Sequence, residues 1–172
     1  MKTQLESPQS QYARPCKGFT LLEVMVALLI FSIGLLGLAG LQASGLQNNK
    51  TADLRSIAII DAHDMAERIR ANDRGRSGDY DAITPGVPTP GTDCINTTSC
   101  TSTSLIAAWD NYQWQSDLNA SLPSGQGSVT RNASGTMTVT VMWDEARTGA
   151  TGTSCGNNPN VDLKCYKMDF LP

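Results

Sequence analysis

Apolar side chains fill nearly every position from Phe19 to Leu41, a run of about 23 residues that would measure about 35 Å as a helix. A bilayer's hydrocarbon layer is about 30 Å thick, so this run predicts a membrane-spanning helix. Beyond it the pattern changes rather than stops. Leu54, Ile57, Ala58, Ala62, Met65, Ala66 and Ile69 recur at steps of three, four and one, which is the stripe of an amphipathic helix. Arg55, Asp64, Glu67, Arg68 and Arg70 occupy its other face, and Asn72-Asp73-Arg74-Gly75 supplies a turn and a glycine to end it. An unbroken helix from Phe19 to Asn72 would be about 80 Å long.

The rest of the chain lacks that period. Residues 75–104 are rich in Gly, Pro, Ser and Thr, including Thr84-Pro85-Gly86-Val87-Pro88-Thr89-Pro90-Gly91, and predict an extended surface loop. Leu105, Ala108, Trp109, Tyr112 and Leu118 predict a short helix, capped by Ser104 and ended before Pro123. Met137, Val139, Val141 and Trp143 then alternate with Thr136, Thr138, Thr140 and Met142, the period-two signature of a strand with one buried face. Shorter strands are predicted at 128–131, before an Asn-Ala-Ser-Gly turn, and at 165–171. Residues 148–160 read as a polar surface loop between strands. The predicted class is therefore α+β: a long amino-terminal helix whose second half packs on a small antiparallel sheet.

Composition narrows the function. The chain has 172 residues, 40% of them hydrophobic, enough for one modest domain beside a membrane helix. Its formal net charge is −3, so wholesale nucleic-acid binding is not expected. Arg68, Arg70, Arg74 and Arg76 form the one basic concentration; cations at a helix carboxyl end account for it through the helix dipole, and contact with DNA or an acidic partner is the competing reading. His63 with Asp61, Asp64 and Glu67 does not make a metal site, since 61 and 63 point to different helix faces. No nucleophile and base are spaced for hydrolysis and no glycine loop is placed for phosphate, so the reading is non-enzymatic, with no catalytic residue, metal or cofactor. The N-x-[ST] matches at Asn96, Asn119 and Asn132 are short enough to arise by chance.

One acid, Glu23, interrupts the apolar run. Such a group costs roughly 2.5 to 3.5 kcal/mol at mid-membrane depth and less near an end, and it marks a functional position by default. Its surroundings, Lys17-Gly18-Phe19-Thr20-Leu21-Leu22-Glu23 before a long apolar helix, resemble the processing site of type IV prepilins and of the pseudopilins of type II secretion. The resemblance implies cleavage after Gly18 by a prepilin peptidase of the inner membrane. It also implies N-methylation of Phe19 as the mature amino terminus, and an assembly role for Glu23. A carboxylate meeting the amine of Phe19 in low dielectric gains a charge-assisted contact, so assembly resolves the burial problem.

On this reading residues 1–18 are a leader, 19–41 the transmembrane and assembly helix, 42–74 its amphipathic continuation and 75–172 the globular head. Removing the leader takes three of the 13 basic residues (Lys2, Arg14, Lys17) and one of the 16 acids (Glu6), leaving ten against fifteen, or −5. The basic leader predicts a cytoplasmic amino terminus and an exported head. An ordinary secretory signal, suggested by Ala43-Ser44-Gly45, fits less well, because its apolar core is shorter and carries no acid. Cys16 leaves with the leader. Cys94, Cys100, Cys155 and Cys165 then form an even set in an oxidising compartment, with three pairings open and proximity favouring 94 with 100 and 155 with 165.

Gly34, Gly37 and Gly40 each cost about 1 kcal/mol against alanine in a helix interior and predict a soft segment, unless they serve close helix packing in the bilayer. Pilins are similar in having a region that loosens on entering the filament, although they often carry a proline where this chain has Gly40. The stretch 62–72, the tryptophan-containing helix and the Val-Thr-Val-Met-Trp-Asp strand resemble minor pilins of the pilus-modification group. That resemblance implies partners among other minor pilins, the major pilin, a tip adhesin and the inner-membrane assembly platform, and a role in pilus assembly, adhesion and twitching motility. The alternatives are a type II secretion pseudopilin and a filament-tip receptor for DNA or a surface ligand.

Overall fold

The computed structural model describes residues 18–75, 78–96 and 100–172. Residues 1–17 of the leader, with Cys16 and Lys17, and also Arg76, lie outside the described residues. The chain divides into two compact units, Met1–Gly45 and Leu46–Pro172. Helix α1, Leu21–Ala71, contributes its first part to one and its second part to the other, and it runs unbroken through Gly34, Gly37, Gly40 and Gly45.

In the second unit the periodic stripe becomes the core. Leu54, Ala58, Ala62, Met65, Ala66 and Ile69 are buried and Ile57 is half-buried against them, while Arg55, Asp64, Glu67 and Arg70 stay outside. The end of α1 is also as the turn residues predict: Asn72 N–H still reaches the Arg68 carbonyl at 3.2 Å, and Gly75 N–H closes on the Asn72 carbonyl at 2.9 Å. Helix α2, Thr103–Ser121, packs Trp114 and Leu118 into the same cluster. Its cap is Ser102 rather than Ser104. The Ser102 hydroxyl accepts the Leu105 N–H at 3.3 Å, so the helix begins two residues before the point that the sequence reading gives it.

Four strands, β1 (Ala82–Ile83), β2 (Gln126–Arg131), β3 (Met137–Trp143) and β4 (Lys164–Phe170), form one antiparallel sheet in sequence order. The β2–β3 turn closes with Asn132 N–H on the Thr136 carbonyl at 2.9 Å, and Gly135 takes the positive φ of 87° that this turn demands. Met137, Val139, Val141 and Trp143 face the α1 core as their alternation predicts.

Two features differ from the sequence reading. The loop after Gly75 contains β1, a two-residue strand. Met142, on the strand's other face, is buried with Ala150 and Leu163, because residues 148–162 fold back over the sheet and are pinned by a parallel bridge between Gly152 and Asp162.

Candidate assembly site

The amino-terminal feature is built from the chain outward. The Thr20 hydroxyl accepts the Glu23 N–H at 3.2 Å and the Thr20 carbonyl accepts the Val24 N–H at 3.3 Å, so Thr20 caps α1 and Glu23 stands in its first turn. A Thr-x-x-Glu pair at a helix start satisfies an orphan donor and sets the carboxylate against the positive end of the helix dipole. The sequence carried this capping signal, which the membrane reading of the acid obscured. Glu23 shares an open hollow of about 550 Å³ with Phe19, Val24, Ala27, Leu28 and Phe31.

Around it the apolar side chains are uncovered. Phe19 is 82% exposed and Leu22 73%, and no residue in the most apolar stretch of α1 is buried; with a mean hydropathy of 2.6, that stretch is long and apolar enough to cross a membrane. The positions of Gly34, Gly37 and Gly40 open onto free space, with nothing within 4 Å of an added Cβ.

In the second unit the four cysteines form two bridges, Cys94–Cys100 and Cys155–Cys165, the pairing that proximity favours. The end of α1 is clamped to α2 by a polar network. Arg68 Nε donates to Asp64 at 2.7 Å and its Nη1 to Gln113 at 3.0 Å, with Asp110 at 3.5 Å. The buried Tyr80 hydroxyl donates to Asp110 at 2.5 Å and accepts from Asn72 Nδ2 at 3.2 Å, which also reaches the Thr103 carbonyl at 2.9 Å. Burial, reinforced by the Asp110 carboxylate, holds the Tyr80 hydroxyl well above its ordinary pKa.

Two of the candidate arginines are therefore engaged: Arg68 in this network, and Arg70 with Glu67 at 2.6 Å and over the Phe170 ring at 5.0 Å. Arg74 lines a shallow hollow with Asn72, Thr103 and Asp110. Burial, partly offset by a hydrogen bond from Ser121, raises the Asp61 carboxyl, and the Asp61 carbonyl accepts the Trp114 indole N–H at 2.9 Å. His63 is exposed.

Sequence reasoning missed Gln115. It is fully buried and spans α2, the segment after β1, and β2. Its Nε2 donates to the carbonyls of Thr84 at 3.0 Å and Gly127 at 2.7 Å, and its Oε1 accepts the Gly127 N–H at 2.9 Å.

Two family models match the chain, the prokaryotic N-terminal methylation motif over residues 13–39 and type IV pilin Tt1218 over residues 40–112. No curated protein gives a significant match. No solved structure does either.

Proposed function

From the premise that this chain belongs to the type IV pilin superfamily, we propose that it is a minor pilin of the pilus-modification (PilV) type, a subunit of the complex that primes and tips the filament. Superfamily membership makes it a structural subunit that is anchored in a membrane and assembles with other pilins. In the proposed course, a prepilin peptidase cuts after Gly18 and Phe19 is methylated. The chain waits with its head outside the inner membrane, then moves into the pilus on the assembly platform beside minor pilins, the major pilin and a tip adhesin. There it would support adhesion and twitching motility.

The observation that carries this reading is the capped helix start. Glu23 is placed by Thr20 next to Phe19 at the head of a helix whose apolar side chains have no cover within the chain. Lipid covers those side chains but leaves the acid costly, whereas a bundle of like helices covers them and brings an amine to the acid. Gly34, Gly37 and Gly40 would let α1 loosen during that transfer. The Tt1218 match over residues 40–112 favours the pilus over the pseudopilin alternative, which shares only the first motif.

Glu23→Ala tests the reading. The variant is expected to reach wild-type amounts in membranes and to fall at least about tenfold in sheared pili, the equivalent of losing about 1.4 kcal/mol of docking energy. Wild-type amounts in the pilus fraction would refute it. A deletion strain that keeps its pili but loses protein secretion would assign the chain to type II secretion instead.

A further inference from the structure

A second site lies at the opposite edge of the sheet from β1, where the start of β4 meets the face of α1 that carries Thr51 and Arg55. Thr51, Arg55, Trp143, Glu145, Lys164 and Cys165 line a cleft of about 310 Å³ there. Trp143 and Lys164 are directly paired across β3 and β4, so their side chains leave the same face of the sheet, and Thr51 and Arg55 lie one helical turn apart. The topology thus sets two cations beside each other. Among the described residues neither Arg55 nor Lys164 has an ion-pair partner within 4 Å, and both are exposed.

Trp143 supplies the second, independent observation. The residue is only 3% exposed and its indole N–H is buried with no hydrogen-bond acceptor. Leaving a buried donor unmade costs roughly 1 to 3 kcal/mol, and buried tryptophans ordinarily find a partner. Arg55 and Lys164 bring only donors, Thr51 brings a hydroxyl that can donate or accept, and Glu145 is the one carboxylate, so the cleft holds more donors than it can pair and is short of acceptors. Two cations and one carboxylate leave the cleft with one positive charge. That balance fits a single carboxylate, whereas a phosphate or a nucleic-acid backbone would bring more negative charge up against Glu145.

We propose that this cleft receives an aspartate or glutamate side chain from a neighbouring pilin subunit. The inference rests on the pilin reading above, which supplies the neighbour. The guanidinium of Arg55 and the ammonium of Lys164 clamp the incoming carboxylate. One of its oxygens would supply the acceptor that the Trp143 N–H lacks. The contact fixes one subunit against the next by charge and direction, a role the apolar helix cannot fill because apolar contacts are non-directional.

The test uses the full chain in a piliated host, with the photo-cross-linking residue benzoylphenylalanine in place of Thr51 and the cross-linked peptide identified by mass spectrometry. The expected peptide comes from another pilin and carries an Asp or Glu beside the attachment point. Its yield is expected to fall about tenfold in the Arg55→Glu, Lys164→Glu double variant, with membrane level and both disulfides unchanged. Trp143→Phe, which keeps the ring and removes only the donor, should also lower it about tenfold. If the double variant does not accumulate, Lys164→Gln and Trp143→Phe carry the test.

A cross-link to lipid or DNA overturns the inference, as does a pilin cross-link of undiminished yield in these variants. So does the absence of any pilin cross-link while the chain is present in sheared pili. Absence of the unsubstituted chain from pili overturns the pilin reading instead.

Discussion

Gln115→Ala should be among the most damaging single changes in the head, although it removes a polar side chain from a helix. The Gln115 amide binds both the N–H and the carbonyl of Gly127, which point away from β3, and it also holds the Thr84 carbonyl just past β1. β1 pairs only with Val129 and Thr130, so the amide continues a ladder that the two-residue strand leaves unfinished. Three hydrogen bonds at about 1 kcal/mol each, with about 1 kcal/mol more for leaving one of the Gly127 backbone groups unpaired while water entering the vacated space satisfies the other, sum to about 4 kcal/mol. With a urea m-value of about 2 kcal/mol per M, the midpoint should drop by about 2 M. Urea denaturation of the full chain in detergent micelles, followed by tryptophan fluorescence, measures it.

Gln115→Glu separates the mechanism from simple volume loss, because a carboxylate would face the Thr84 and Gly127 carbonyls. The folded-state pKa of that new acid must rise, so its penalty is full at neutral pH and recedes as pH falls through the raised value. The ladder account is refuted if Gln115→Ala unfolds within about 0.5 kcal/mol of wild type, the range of an ordinary surface substitution.

Tyr80 has a folded-state pKa raised by burial and by Asp110, so its contribution is fully present below the unfolded value of about 10 and is lost as pH climbs above it. Tyr80→Phe should flatten that alkaline loss in a stability-versus-pH series, and an unchanged slope would contradict the assignment. Asp61, also raised, acts with the same sign at acid pH: stability rises as pH falls through its folded pKa toward about 3.9 and then levels. Asp61→Asn should remove that rise and stabilise the head at pH 7, read by the urea midpoint at both pH values. Replacing Cys155 and Cys165 by serine should cost about 2.5 kcal/mol on the chain-entropy estimate for so short a loop, and an unshifted midpoint would show that residues 150–162 hold themselves together.

What the sequence made legible was periodic. The α1 stripe and the alternation of β3 announce which face is buried, because one geometry repeats over enough positions to stand above local noise. What stayed hidden depended on partners far along the chain. Ala82 and Ile83 are too few to show a period, and they become a strand only because Val129 and Thr130 pair with them, while Gln115 holds the Thr84 carbonyl just beyond. Gln115 reads as surface until α2 is turned toward β2, where Gly127 brings its backbone so close to Trp114 that an added Cβ would overlap the ring. Met142 looks outward by alternation, and only the folding back of residues 148–162 buries it. The cap fell on Ser102 rather than Ser104, because the helix begins two residues earlier than its apolar pattern announces.

The same contrast explains why the amino-terminal half was easier to read for function than for structure. From Phe19 to Leu41 the large side chains are exposed, far beyond the few hundred Å² of contiguous apolar surface that a soluble monomer tolerates. Nothing among the described residues covers them, so the segment states a requirement for surroundings rather than a fold. Lipid meets that requirement except at Glu23; on the proposed function a bundle of like helices, each beginning with the amine of Phe19, would meet it there too. A cleft with two unpaired cations and an orphan indole N–H poses the same kind of requirement in the head, this time for one acidic side chain. On both proposals a neighbouring subunit completes the site, and its charge is what selects it.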